Sequence, residues 1–431
     1  MSPFTREYVS SGGFHLVFEG AKKKAVMQHA AAITILLAAQ LMAAPPPKLV
    51  REIDLNQILP IRPGHRAITT YAFSPDEKWL AVTLAVRPTD PSERRRQSRP
   101  SDSSRVLLVP VNGPAELRMQ IDPGLSPLGM PGWSPNSDAF FVQGLAALTK
   151  YPYAGTILKL WNLRGAELLS RDGPGVPADV ERMSKVLNIP ADELLNGDPP
   201  RTLDTRMGGI FGFLDPEHLL ARRLPAKATP AAFETLNRKG QVVDTWTVPK
   251  DWKVLDINPD RHLLAVSSYK DASTTHVVDY LSKKVVLNED NPYDLQSNAG
   301  GLWEFFTEGG RTLCSVGSIG NVPDRKDTFT ECWDVDSGKK IAQFGGFLGG
   351  APAAGSSHSS RLVLTSGYFF PKKKGAIAFS DGDRVVWDFR SGTEVAAWNA
   401  PQTPAYSISI SSTGRYVAEA DGALLRIYEL P

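Results

Sequence analysis

The sequence predicts an all-β chain folded as a seven-bladed β-propeller, and three observations predict it. A turn-and-strand unit recurs seven times between residues 73 and 418. Each copy is followed by a second hairpin pattern, so that a unit supplies four short strands, A to D. The seventh unit stops after its third strand, and an unassigned strand-like stretch, residues 49–55, precedes the first.

The unit is an apolar residue, a tight turn and a short apolar strand. It reads Phe73-Ser-Pro-Asp76, Trp133-Ser-Pro-Asn136 and Ile257-Asn-Pro-Asp260 in its clearest copies. Weaker ones are Phe213-Leu-Asp-Pro216, Phe306-Thr-Glu-Gly309, Gly355-Ser-Ser-His358 and Ile410-Ser-Ser-Thr413. Proline presets φ at the second turn position, and Asp, Asn or Gly accepts the conformations that follow. Glycine (36) and proline (34) together make up about 16% of the chain, above the roughly 12% of ordinary proteins, as many short elements require. Large and small residues alternate just before the turns, as the two faces of a strand should.

The second hairpin is clearest at Val385-Val-Trp-Asp388 with Ser391-Gly392, and at Cys332-Trp-Asp-Val335 with Ser337-Gly338. These Trp-Asp pairs, each followed by Ser-Gly and an apolar strand, resemble the C–D hairpin of the WD-repeat family. Gly64-His65, nine residues before Phe73, resembles the opening of such a repeat; no other unit carries Gly-His. The resemblance, to a bacterial, exported member of that family, implies four-stranded blades and a protein- or peptide-binding role. Residues 49–55 would pair onto the seventh blade, closing the ring and covering an otherwise open edge.

The N-terminus reads as an export segment. Lys22, Lys23 and Lys24 precede the apolar run of residues 30–39, and small residues and three prolines follow. Residues 1–44 are therefore expected to be a signal peptide, with a start codon that lies nearer Lys22 or Met27, and 45–431 the propeller. The expected location is periplasmic or secreted, with membrane contact only if the segment is retained. Residues 1–44 carry four cations and two acids, so the remainder is formally neutral. That argues against nucleic acid as a partner.

Extra residues fall in a few connections: 87–105 with Arg94, Arg95, Arg96 and Arg99; 172–209, expected to be a short helical insertion between blades 2 and 3; 318–327; and 367–383 with Phe369, Phe370, Lys372, Lys373 and Lys374. B–C and D–A connections leave a propeller on one face, so these loops mark that face as the candidate binding surface. No nucleophile elbow, zinc-protease helix, phosphate loop or dinucleotide fingerprint occurs, and the seven histidines have no metal-ligand spacing. No cofactor, metal or catalytic residue is assigned. Asp256 and Glu304 stand on neighbouring A strands at positions of opposite parity, so one is expected to face the channel and the other not. Cys314 and Cys332 are cross-strand neighbours on strands B and C of blade 5, expected as two buried thiols, although a disulfide is possible in the right register. The resulting expectation is a monomeric, non-enzymatic scaffold in the bacterial cell envelope. The alternative is a propeller enzyme of the lactonase or quinone-cofactor kind, with its site at the channel mouth.

Overall fold

The repeated turn is a hydrogen-bonded device. In the computed structural model, Ser74 Oγ accepts the Trp79 amide at 3.0 Å and donates to Asp76, and Ser134 Oγ accepts the Ala139 amide at 3.0 Å. Ser411 Oγ does the same for the Tyr416 amide at 2.9 Å. All three serines are fully buried, so the hydroxyl satisfies backbone groups that water cannot reach. In blade 3 the turn is shorter: Asp215 pairs with His218, and its carboxylate takes the Glu217 and His218 amides. The anchor there is Asp215 rather than Leu214.

The structure describes residues 44–89, 104–113, 117–121, 123, 125–127, 130–146, 156–172, 210–223, 230–249, 252–268, 274–290, 303–318, 328–346, 354–365, 368–369, 383–399, 408–421 and 423–431. They form seven small antiparallel sheets, the blades of a seven-bladed β-propeller. Blade 1 runs His65–Phe73, Trp79–Pro88, Ser104–Pro110 and Met119–Ile121, from the inner strand A to the outer strand D. In blade 2, strand A is split into Leu125–Pro127 and Gly132–Trp133, both paired with Ala139–Ala146; Thr156–Asn162 and Glu167–Asp172 follow. Blade 3 comprises Ile210–Asp215, His218–Arg223, Ala232–Asn237 and Val242–Thr247. Blade 4 comprises Trp252–Asn258, Leu263–Ser268, Thr274–Asp279 and Lys284–Asp290. Blade 5 has Trp303–Thr307, Thr312–Ser318, Thr328–Asp334 and Lys340–Gly346. Blade 6 has Ala354–Gly355, Arg361–Thr365, Asp383–Asp388 and Thr393–Asn399.

Blade 7 takes Ile408–Ile410, Tyr416–Asp421 and Leu424–Glu429 from the end of the chain and its outer strand, Lys48–Asp54, from the beginning. Lys48 lies opposite Glu429 and Asp54 opposite Leu424. The pairing continues into a single helical turn, Leu55–Ile58, capped by the Asp54 carboxylate on the Asn56 amide. The seam this makes is apolar: Leu55, Tyr71, Leu84, Leu425 and Ile427 are all buried in one cluster. Arg51 adds a bond from the closing strand to blade 1, its Nη2 donating to the Gly113 carbonyl at 2.8 Å.

Among the described residues the core consists of seven such clusters, and each bridges two neighbouring blades. A single blade is too thin to bury its own faces, so the ring itself supplies the core. The Trp-Asp pairs divide their labour accordingly. Trp387 fills the seam between blades 5 and 6, while Asp388 accepts the Ser360 hydroxyl and the Arg390 and Ser391 amides to cap the C–D turn. Gly355 makes room for a neighbour, since a Cβ there would overlap the Phe305 ring.

One expectation changes. Cys314 and Cys332 are directly opposite in register, with Cα atoms 4.1 Å apart, and form a disulfide rather than two thiols. Strand pairing decided this, by placing the two residues face to face across an antiparallel ladder. The helical insertion expected over 172–209 lies outside the described residues apart from Asp172, which ends a strand. The helical elements described are the turn at Leu55–Ile58 and a 3-10 turn at Glu308–Gly310.

Candidate functional site

Strand direction places the A–B and C–D turns on one face of the ring and the B–C and D–A connections on the other. Of the residues expected to bind on the second face, Arg94, Arg95, Arg96, Arg99, Phe370, Lys372, Lys373 and Lys374 lie outside the described residues. Phe369 is placed by its backbone. Tyr368–Phe369 pairs antiparallel with Gly345 and Gly346 of blade 5, adding a fifth strand to that blade. The B–C connection of blade 6 therefore reaches back over the outer edge of its neighbour, a contact the sequence reading did not assign.

The A–B face holds the described end of the central channel, a cavity of about 1140 Å³. Its mouth is made by the two residues after five of the seven turn anchors: Pro75 and Asp76, Pro135 and Asn136, Pro259 and Asp260, Ser357 and His358, Ser412 and Thr413. Below them the wall is apolar, with Trp133, Phe211, Phe213 and Phe306. The repeat used to count blades thus also builds the rim. Comparison of turn positions could have paired Asp260 with His358 from the sequence, but nothing in it told that they touch.

They do touch. His358 Nε2 of blade 6 meets Asp260 Oδ2 of blade 4 at 2.7 Å, passing over the turn of blade 5. The His358 amide donates to the Ser412 carbonyl at 2.8 Å, and Ser412 Oγ donates to the Pro75 carbonyl at 2.8 Å. The Asp76 amide then donates to Ser137 Oγ at 3.0 Å. Farther out, Arg238 joins Asp138, Arg261 joins Asp336 and Arg390 joins Glu308, each between the turns of adjacent blades. The rim is a largely pre-bonded frame of turns.

Asp256 lies in the channel wall and Glu304 does not, in line with their opposite parity. Asp256 accepts the Ile257 amide at 2.9 Å and the Phe306 amide of blade 5 at 2.7 Å. Burial nonetheless pushes its carboxyl up to about 6, against the pull of those amides. Glu304 turns into the seam between blades 4 and 5, where Oε1 accepts the hydroxyls of Thr275 and Ser315 and Oε2 is buried without a hydrogen-bond partner among the described residues. Burial raises it to about 7, the two hydroxyls oppose the shift and nearby Asp256 adds to it.

Two further histidines have local partners. His218 meets Asp215 at 2.8 Å, and His262, held at φ 58°, packs edge-on against Tyr280. No group of three or more His, Cys, Asp or Glu side chains suited to a metal occurs among the described residues.

No family model matches the chain, and no curated protein does. Among solved structures it is similar to a chain of the "Crystal Structure of Mitotic Checkpoint Complex", with TM-score 0.51 and 13% sequence identity. The similarity covers 90% of this chain and 98% of that one. At that identity the likeness concerns the fold alone, a seven-bladed β-propeller.

Proposed function

We propose that the protein is a non-enzymatic scaffold of the bacterial cell envelope that holds a protein or peptide partner across an end of its central channel. The observation that carries this reading is the open cavity of about 1140 Å³ with an apolar wall and a rim of fixed polar turn residues. Concave sites of mixed lining on a rigid frame suit recognition of a chain segment. The acids favour binding over chemistry. Both oxygens of Asp256 already accept backbone amides, and Asp260 is committed to His358. The basic loops at 94–99 and 372–374 supply a second candidate surface at the other end, as the sequence reading holds.

Export rests on the basic and apolar pattern of residues 22–39 and is supported by the Cys314–Cys332 disulfide, since such bonds persist in oxidising compartments. Fractionation of cells expressing the full chain should place it outside the cytoplasm; retention in the cytoplasm would remove that part of the reading.

Peptide display on residues 45–431 tests the binding role. Selected peptides should bind saturably to the monomer. Asp260→Lys with His358→Glu should weaken those held at the A–B mouth, and charge reversal at Arg94, Arg95 and Arg96 those held on the long-loop face. A library that yields no saturable binder, or binders indifferent to both sets of changes, would end the proposal.

A further inference from the structure

A second cavity, of about 690 Å³, opens on the A–B face at the seam where blade 7 meets blade 1. It lies within the size range of small-ligand and side-chain pockets, about 300–1,000 Å³. Its walls come from chain segments more than three hundred residues apart, Trp79 and Arg118 on one side and Arg415 and Tyr416 on the other. The Tyr416 ring is buried, and its hydroxyl accepts Asn112 Nδ2 at 2.9 Å, which fixes the back of the cleft. Trp79 lines the cleft and is half-buried, packed against the seam of blades 1 and 2, and the Arg118 guanidinium lies 6.0 Å from its ring centroid.

The charges around the cleft are unequal in commitment. Arg415 stacks on Tyr416 at 5.0 Å and is bound by Glu429 through two nitrogens. Lys78 pairs with Asp76 at 3.2 Å. The Glu77 carboxylate receives the Thr413 amide and hydroxyl, both at 2.7 Å. Arg118 alone among these cations meets no carboxylate among the described residues; its contacts are its own backbone bond to Leu108 and the Trp79 ring. A guanidinium beside an aromatic face, with no carboxylate on its planar fork among the described residues, is suited to a carboxylate carried next to an apolar or aromatic group.

We propose that this cleft binds an acidic peptide segment, its carboxylate on Arg118 and an adjoining apolar or aromatic side chain on Trp79. The inference rests on the binding reading above and specifies a site and a chemistry for it. Arg118, without a carboxylate partner among the described residues, matches one negative charge. A polyphosphate backbone would instead bring several charges against Asp76 and Glu77 in the same wall, which disfavours a nucleic acid.

The test is fluorescence anisotropy on residues 45–431 with three labelled probes: a short peptide alternating Asp or Glu with Phe, its Lys-for-acid counterpart, and a single-stranded oligonucleotide of equal length. The acidic peptide should bind saturably and lose about tenfold or more in affinity in Arg118→Glu and in Trp79→Ala, about 1.4 kcal/mol each. Arg118→Glu should also gain affinity for the Lys peptide, a result that misfolding cannot produce, and Trp79→Phe should retain most binding. No binding of the acidic peptide, indifference to Arg118→Glu, or preference for the oligonucleotide would overturn the proposal. Display-selected peptides that still bind elsewhere would then leave the general reading standing and remove only this site.

Discussion

Arg384 of blade 6 and Glu419 of blade 7 form an ion pair, Nε to Oε1, at 2.8 Å, with the two side chains only 3% and 8% exposed. Trp398 Nε1 donates to the second carboxylate oxygen at 3.3 Å. A buried pair gains little over well-packed apolar residues, but removal of one member strands a charge. Arg384→Met should therefore cost about 3–5 kcal/mol in denaturant unfolding. The double variant Arg384→Met with Glu419→Leu should recover most of the loss. An equal loss in both would show that packing, not the stranded charge, sets the cost.

The Cys314–Cys332 bond closes a loop with sequence separation 18 in blade 5. Constraint of the unfolded chain over such a loop is worth about 3 kcal/mol. Replacement of both cysteines by alanine, or reduction of the denatured protein before refolding, should lower the unfolding midpoint by a corresponding amount. Thiol titration of denatured, unreduced exported protein should find no free thiol; two titratable thiols would contradict the pairing.

Stability should fall as pH rises from about 4.5 to about 7. Glu304 has a folded-state pKa raised to about 7 from its ordinary 4.5, chiefly by burial, and Asp256 one raised to about 6 from 3.8. The folded state holds those protons more tightly than the unfolded chain, so their stabilisation is fully present below the unfolded pKa and lost as pH passes the folded one. For Glu304 this amounts to on the order of 3 kcal/mol. Unfolding measured at pH 4.5 and 7.5 should show a smaller difference in Glu304→Gln than in the parent chain. An unchanged difference would refute the assignment.

Ring closure should depend on the first strand. A chain starting at residue 56 lacks Lys48–Asp54 and Leu55, and with them the outer strand of blade 7 and part of the closing seam. Full burial of each large apolar side chain is worth about 1.5–3 kcal/mol, so the loss should reach several kcal/mol. The bare edge should also promote association. Light scattering and thermal melts read both effects, and a synthetic peptide of residues 45–55 should partly restore the melt. A monomer of unaltered stability would show that the strand is not needed for closure.

The turn anchors should act as caps. Ser134→Ala leaves the Ala139 amide and the Asp138 carboxylate without their shared hydroxyl in a fully buried position. The cost should be about 1–3 kcal/mol. A loss near zero by chemical denaturation would mean that the turn does not need the hydroxyl.

Much of the fold was legible because it is written in local chemistry. The Ser-Pro-Asp anchors, the Trp-Asp pairs and the strand at 49–55 each leave their mark within a few residues, since turn geometry and strand alternation are properties of neighbours in the chain. Blade 3 shows the limit: with the turn shortened around Asp215, the pattern shifted by one position. The rim of the channel was legible in part, because Pro75, Asp76, Pro259 and Asp260 belong to the repeat itself.

By itself, then, the sequence determined that seven four-stranded units exist and that the N-terminal strand completes the last one. Only the tertiary structure decided which distant residues meet: Cys314 with Cys332, His358 with Asp260, Phe369 with the edge of blade 5, and Phe73 with Tyr416. Those relationships depend on strand register and on closure of the ring. Both are set by apolar seams shared between blades, where residues hundreds of positions apart bury one another, and no local pattern records which pairs will meet.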